Sequence, residues 1–294
     1  MAYANRVITC TNNDGVSARF TERAFTPFLL CKADGVYDVD NNITVSENTM
    51  NDGATYQGTV AKYRNIVLTF KDDESHAYNR NLLYALFKSK QKGTLVFEED
   101  ENKRKIDYYV EKMTSDGMTP LRTYSVSLLC PDPFFYAMNN EYVQMSAWLG
   151  AFEFPHQFKA NGEEIGYRSN IRIQDIENQI AADGIGMTIT LTANGTVTNP
   201  SITRIDSDES IRIGTEENPF SMGAGDILKI TTGDNDKHVY LTRDGVEEEI
   251  NQYLSEDSVF IQLMRGHNNI GYDADVGSDA LTVTIGYTFK YEGA

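Results

Sequence analysis

The first half of the chain alternates apolar and polar residues in short runs, a pattern that predicts β-strands. An apolar run over 28–37 contains the turn pair Asp34-Gly35, and residues 44–47 are expected to form its return strand. Residues 60–70 predict one long strand. Further strands are predicted at 94–97, 106–110 and 124–130, and the acidic turn over 98–102 should join the first two of these as a hairpin.

One helix interrupts these strands. Ser75 is a good N-cap residue, and Gly93 is expected to stop the helix. Four residues at helical spacing form its apolar stripe: Leu82, Leu83, Leu86 and Phe87. Three lysines near its C-terminal end suit the helix dipole: Lys88, Lys90 and Lys92.

A proline-rich segment closes the first half. Cys130-Pro131-Asp132-Pro133 cannot continue a paired strand, because proline donates no backbone hydrogen bond. Three aromatic residues follow and must be buried against some part of the fold: Phe134, Phe135 and Tyr136. We therefore expect an N-terminal α+β domain over 1–140, a linker over 141–150 and a second domain over 151–294.

The second half predicts only β-structure. Residues 187–192 alternate strictly, and short β-prone runs follow at 197–202, 211–213, 227–230, 239–241, 259–264 and 281–289. Asn194-Gly195 and Asp244-Gly245 are turn signals. Short strands at this spacing predict a β-sandwich, so the chain as a whole is expected to be mainly β.

Charge and candidate chemistry narrow the function. The chain has 294 residues and a net charge of −17, without the basic patch that nucleic-acid binding needs. No apolar run is long enough to span a membrane, so we expect no membrane insertion. The three cysteines are expected to be reduced and mostly buried. Asp38-x-Asp40 begins like a calcium loop, but Ile43 and Thr49 replace the glycine and glutamate that such a loop requires. The sequence therefore predicts no catalytic residue, cofactor or metal ion.

Several short motifs follow one another along the chain. They are Tyr56-x-Gly58 with Arg64 and Ile66-Val67-Leu68; Leu86-Phe87 with Gly93-Thr94-Leu95; Cys130-Pro131-Asp132-Pro133-Phe134-Phe135-Tyr136; and a C-terminal series from Gly225-Asp226 through Asp244-Gly245 and Gly266-x-Asn268 to Tyr291-Glu292-Gly293. Their order resembles the distal tail protein (Dit) family of long-tailed phages. Together they cover nearly the whole chain, and the third is the most specific.

The resemblance implies a virion structural protein of the tail tip or baseplate that is assembled in the host cytoplasm and serves host attachment. The N-terminal half would form a homohexameric ring around a channel. The C-terminal half would be a galectin-like β-sandwich, whose last strand could return to the N-terminal domain. The ring would join the major tail tube protein to the tail-tip or tail-associated lysin hub, with tape measure and receptor-binding proteins as further partners.

The resemblance also points to particular residues and surfaces that would stabilise the subunit or its assembly. Gly58, Arg64, and the segment Pro131, Asp132, Pro133, Phe134, Phe135 and Tyr136 are the candidate structural and assembly positions. Arg64 is expected to pair with a carboxylate, and the edge of the hairpin around 98–102 to add a strand to a neighbour's sheet. Six copies at −17 each carry about −102, so a negative lumen would let DNA pass without sticking.

Other functions remain open at this stage. One alternative is the equivalent ring protein of a contractile tail or tailocin, which would fit the same sequence features. A carbohydrate-binding adhesin would need an aromatic patch, for which the candidates are Trp148, Phe152, Phe154 and Phe158, although packing between the domains is the preferred interpretation. A tail-tip hydrolase is disfavoured, because no nucleophile, base or metal constellation is recognisable.

Overall fold

The computed structural model describes residues 6–23, 27–47, 52–72, 76–116, 122–150, 166–170, 172–179 and 181–294. The chain divides into two compact units. Unit 1 comprises Met1–Met138 and Lys290–Ala294, and unit 2 comprises Asn139–Phe289. The chain therefore passes from unit 1 to unit 2 after residue 138 and returns after residue 289.

Unit 1 is built from strands and one described α-helix, α1 (His76–Leu86). The strands are β1 (Arg6–Asn12), β2 (Ser17–Thr21), β3 (Phe28–Asp34), β4 (Asn41–Glu47), β5 (Ala54–Ala61), β6 (Arg64–Asp72), β7 (Lys92–Glu99), β8 (Asn102–Ser115), β9 (Thr123–Cys130), β10 (Phe135–Ala137) and, from the end of the chain, β24 (Lys290–Tyr291).

Seven of these strands close into a barrel in the order β8-β7-β1-β2-β3-β6-β9, because β9 pairs back onto β8. All neighbours are antiparallel except β2 and β3. The first part of β8 pairs with β10, which in turn pairs with β24. The contact between β2 and β3 is the shortest in the barrel, because these strands pair only through Phe20 with Phe28 and Thr21 with Leu29.

The barrel core follows the period-two pattern of its strands. Ile66, Leu68 and Phe70 of β6 point inward and are fully buried, as are Val126 and Leu128 of β9. Seven further aromatic rings join the same core: Phe20, Phe28, Phe87, Phe97, Tyr108, Tyr124 and Phe135. Cys10 and Cys130 are buried free thiols, and Cys31 is exposed. Burial raises the pKa of Cys130 to about 12, which keeps this thiol protonated.

The helix buries the predicted face but ends earlier than predicted. Leu83, Leu86 and Phe87 are buried in the barrel core, while Ser75 lies outside the described residues. Gly93 does not stop the helix, because it belongs to β7, where a side chain would meet the Tyr108 ring at 2.5 Å. The chain instead turns at Lys90, which has a φ of 66°.

Two other predictions about the first half were wrong. The strand over 44–47 does not return along the 28–37 strand, because β4 pairs with β5, and β3 pairs with β2 and β6. The long strand over 60–70 is two strands, β5 and β6, separated by Lys62 and Tyr63. The turn at Asp34-Gly35 and the hairpin at 98–102 are both present.

Unit 2 contains two larger antiparallel sheets. Its strands are β11 (Glu141–Gln144), β12 (Ser146–Gly150), β13 (Gly166–Asn170), β14 (Ile173–Asn178), β15 (Met187–Ala193), β16 (Val197–Arg204), β17 (Glu209–Arg212), β18 (Ser221–Met222), β19 (Ile227–Gly233), β20 (Asp236–Arg243), β21 (Val246–Glu249), β22 (Gly266–Val276) and β23 (Leu281–Tyr287). One sheet has the order β11-β23-β15-β19-β20-β21 and the other β14-β22-β16-β17, with β18 beside β16.

Each of the two sheets buries one face, as the sheets of a β-sandwich do. Ile189, Ile230 and Ile285 are fully buried on the first sheet, and Ile202 and Ile270 on the second. The expected linker over 141–150 is occupied by β11 and β12. Residues 259–264 form no strand, and only Leu263 pairs, through a bridge to Ile185. The expectation of a mainly β protein with one helix is confirmed.

Candidate assembly interface

Strands β4 and β5 form a two-stranded ribbon, the arm, that pairs with no other strand in the described part of the chain. Every residue of β4 is exposed, and β5 is exposed except at Gly58 and Ala61, which are half-buried. Gly58 pairs with Thr44 next to a bulge in the ribbon, and the space around its Cα is open. An isolated two-stranded ribbon is at best marginally stable in water.

The arm has one apolar face. Ile43 and Val45 point to the same side of β4, and across the ribbon they pair with Thr59 and Tyr56. The Tyr56 hydroxyl donates to Thr59 Oγ1 at 2.9 Å. Ile43, Val45 and Tyr56 are 60%, 50% and 63% exposed. Grouped exposed apolar side chains are a common feature of interaction surfaces.

Arg64 follows the arm directly and is only 5% exposed. Its guanidinium donates to five backbone carbonyl oxygens from three separate segments. The acceptors are Pro133 O at 2.7 Å, Gly35 O at 2.7 Å, Val36 O at 3.1 Å, Asp38 O at 2.7 Å, and Glu292 O. The expected pairing of Arg64 with a carboxylate is therefore wrong, because Arg64 is buried and its hydrogen bonds all go to carbonyl oxygens.

Burial lowers the pKa of the Arg64 guanidinium, and the nearby Asp38, Asp40 and Glu292 act in the opposite direction. The guanidinium also lies 5.1 Å from the centre of the Phe135 ring. Arginine stays protonated in proteins, so the fold holds a buried cation by distributing it over several carbonyl dipoles.

The segment Pro131, Asp132, Pro133, Phe134, Phe135 and Tyr136 is held by its own aspartate. Asp132 accepts from the Phe134 amide at 3.1 Å and from the Tyr136 hydroxyl at 2.6 Å. Phe135 is fully buried, whereas Phe134 and Tyr136 are half-buried and Pro131 and Asp132 are exposed. The segment thus turns the chain out of β9 and leads it into β10 against β8.

Residues 290–294, the C-terminal segment, complete this region of unit 1. Arg104 donates to Gly293 O at 2.5 Å, and its guanidinium lies 3.9 Å from the centre of the Tyr291 ring. The Ala294 amide donates to Val36 O at 3.3 Å. Lys290 Nζ lies 4.6 Å from the centre of the Phe134 ring.

Arg64 therefore brings together three candidate regions that the sequence had singled out separately. A polar cavity of about 270 Å³ opens beside it at the base of the arm, lined by Gly35, Asp38, Asp40, Lys62, Tyr63 and Pro133. No sequence pattern could have predicted that these regions meet at Arg64, because the groups that contact its guanidinium are backbone carbonyls. Gly58 lies farther along the arm and makes no contact with this cluster among the described interactions.

The hairpin around 98–102 is paired with β1 on its β7 side, from Gly93 to Glu99, and with β10 on its β8 side only at Arg104 and Lys105. Asn102 and Lys103 pair with β7 alone in the described part of the chain, so the addition of this hairpin to a neighbour's sheet stays a prediction. The arm pairs with no described strand on either of its two sides.

Other candidate chemistry is limited. Within the described ranges, no group of three or more His, Cys, Asp or Glu side chains is arranged to hold a metal ion. None of the described helices is long and apolar enough to cross a membrane. Phe152, Phe154 and Phe158 lie outside the described residues, as does the side chain of Trp148, so the proposed aromatic patch is not described.

Two family matches cover most of both units. The phage tail protein RIFT-related domain matches residues 22–130, and the C-terminal domain of the siphovirus-type tail component matches residues 183–291. No curated protein sequence matches the chain.

Solved structures share the fold at low identity. The crystal structure of the Dit protein of phage SPP1, described as a paradigm of the hub adsorption apparatus in phages that infect Gram-positive bacteria, is 14% identical, with a TM-score of 0.67 over 97% of this chain and 99% of that one. A chain of the phage P2 baseplate, solved in its activated conformation with Ca, is 11% identical, with a TM-score of 0.52 over 100% of both chains.

The barrel with its arm, the second unit and the order of the two matched domains define a structural component of a siphovirus-type phage tail. Within that class, the chain belongs to the distal tail protein (Dit) family.

Proposed function

We propose that unit 1 assembles into a homohexameric ring at the tip of the phage tail and that the arm is the contact between neighbouring copies. The arm carries this proposal, because its apolar face is unpartnered in a single copy. A cyclic ring needs two different surfaces on each subunit, and an arm received by a neighbour's surface satisfies that requirement.

The proposed partners follow from the family. The ring would join the major tail tube protein to the tail-tip hub or tail-associated lysin protein, and the tape measure and receptor-binding proteins would associate with the same assembly. DNA would only pass through the lumen. A structural role of this kind requires no catalysis and no cofactor. The siphovirus-type family description supports this role over the equivalent ring of a contractile tail.

The arm contact can be tested by removing its apolar side chains. Ile43→Ser with Val45→Ser should leave the subunit folded, because both positions are exposed, but should prevent assembly. Sedimentation velocity across a concentration series measures the result. We expect the wild type to assemble and the double variant to remain a protomer of 33.0 kDa.

A matched control exists in unit 2. Ile173→Ser with Val246→Ser removes the same two residue types from positions that are 55% and 69% exposed. This control should assemble like the wild type. Normal assembly of the arm variant would rule out the arm as the contact. Loss of assembly in both double variants would show that the effect is not specific to the arm.

A further inference from the structure

The C-terminal segment is held mainly by side-chain contacts rather than by its strand. β24 has two residues and only two pairs with β10, Phe135↔Tyr291 and Tyr136↔Lys290. Such a short ladder contributes little stability. Two arginines add hydrogen bonds to the backbone of the segment, since Arg64 donates to Glu292 O and Arg104 donates to Gly293 O. Arg104 also lies over the Tyr291 ring, and the Ala294 amide donates to Val36 O.

The same Arg64 guanidinium fixes the arm root, which we define as residues 38–40 and 62–63. Arg64 follows the last residue of the root directly and donates to Asp38 O at the start of the root. The two sides of the root are joined by the Lys62 amide, which donates to Asp40 O at 2.8 Å. A single planar group thus orders both the arm root and the C-terminal segment.

We propose that Arg64 makes the arm root and the C-terminal segment one cooperative unit, so that loosening either loosens the other. Arginine suits this role better than lysine, because its planar fork presents five donors in fixed directions. A lysine at this position keeps the charge but reaches fewer acceptors at once.

This coupling between the arm root and the C-terminal segment has a functional consequence if the proposed function holds. Both covalent connections to unit 2 begin close to an Arg64 contact: Pro133 precedes the crossing after residue 138, and Glu292 follows the crossing after residue 289. A neighbouring copy that binds the arm would therefore also order the segments that lead to unit 2. Ring assembly would then order the connections to unit 2.

Hydrogen exchange of the Lys62 amide tests the coupling, measured by NMR on the full chain at concentrations where the protomer predominates. Removing residues 290–294 from the wild type should accelerate exchange at Lys62 by about tenfold, a typical size for contacts that share a network. The same truncation in an Arg64→Lys background should produce no further acceleration. In an Arg104→Gln background, which keeps Arg64, the truncation should still accelerate it.

Barrel amides such as that of Leu95 report whether each variant remains folded. An unchanged Lys62 amide after truncation of the wild type would overturn the proposal, and so would an equal acceleration in the Arg64→Lys background. If Arg64→Lys exposes the barrel amides, the truncations of the wild type and of Arg104→Gln still decide the outcome. Because the protomer is measured, failure of this coupling is distinguishable from failure of ring assembly.

Discussion

Residue 35 has to be glycine for two separate reasons. Its φ is +79°, in the left-handed region, and a Cβ would lie 2.0 Å from Asn65 O. The close approach of Gly35 to Asn65 positions Gly35 O to accept a hydrogen bond from the Arg64 guanidinium at 2.7 Å. The turn pair Asp34-Gly35 therefore contributes to the Arg64 cluster as well as to the turn.

Gly35→Ala should destabilise unit 1 by about 3 kcal/mol, because a steric clash adds to the backbone strain. Gly15→Ala is the matched control, with a φ of +80° and no atom within 4 Å of the added Cβ, and should cost about 1 kcal/mol. Urea unfolding followed by circular dichroism measures both. Equal losses in the two variants would show that the contact with Asn65 is not the cause.

Asp226 connects two turns of unit 2. It is 6% exposed and accepts from the Gly223 amide at 2.8 Å and from Arg243 Nε and Nη2 at 2.9 and 2.6 Å. The Arg243 hydrogen bonds hold the pKa of Asp226 below its usual value. The ion pair between Asp226 and Arg243 holds the Gly225-Asp226 turn against the end of β20, next to the Asp244-Gly245 turn.

Because the folded-state pKa of Asp226 is depressed, its stabilisation is fully present above the ordinary aspartate pKa and is lost as the pH falls through the folded value. Asp226→Asn should destabilise unit 2 by about 1 to 3 kcal/mol near neutral pH. The difference from the wild type should shrink at low pH. Urea midpoints from pH 7 down to pH 2.5 measure this, and a constant difference would contradict the role of the carboxylate.

At the level of elements, the end of α1 is fixed from outside the helix. Asn12, at the end of β1, is buried, and its Nδ2 donates to Ala85 O at 2.9 Å and to Leu86 O at 3.3 Å. Its Oδ1 accepts from the Asp14 and Val16 amides. One side chain thus satisfies unpaired carbonyls of the last helical turn and shapes the β1–β2 turn.

Asn12→Ala should therefore cost about 2 to 3 kcal/mol, because it leaves buried polar groups without partners. The exposed neighbour Asn13→Ala provides the control and should change the unfolding free energy by less than about 0.5 kcal/mol. Thermal or urea unfolding of both variants measures the difference. An Asn12 variant as stable as the control would contradict the capping role.

The barrel strands could be predicted from the sequence, because each buries one face and alternates accordingly, as 66–70 and 124–130 do. The arm could not be distinguished from them. Ile43 and Val45 alternate with polar residues in the same way, although their apolar face is exposed. Periodicity reports that a strand has an apolar face, but it does not report what covers that face.

Arg64 shows a second limit of the sequence. The family resemblance singled out Arg64, but its burial and its acceptors could not be predicted, because backbone carbonyls have no residue-type signature. Helix α1 was predicted from its apolar stripe, but its end was placed too late because Asn12 lies 73 residues from Ala85. Long-range polar contacts of this kind determine where a helix or strand ends, and local sequence patterns do not predict them.

At the level of the whole molecule, neither edge of the arm is paired with another described strand, which is why we propose the arm as the contact between copies. The net charge of −17 per copy gives about −102 for six copies. If part of this charge lines the channel, the lumen repels phosphate and DNA passes without binding. A channel lined by net lysine and arginine would contradict this part of the account.

The most direct test of the central claim, that copies of this chain assemble into a hexameric ring, is the mass in solution by light scattering across a concentration series. The account predicts a species of 6 × 33.0 = 198 kDa that grows at the expense of the protomer as the concentration rises. A mass that stays at 33.0 kDa at every concentration, and also after addition of the tail tube protein, would contradict it.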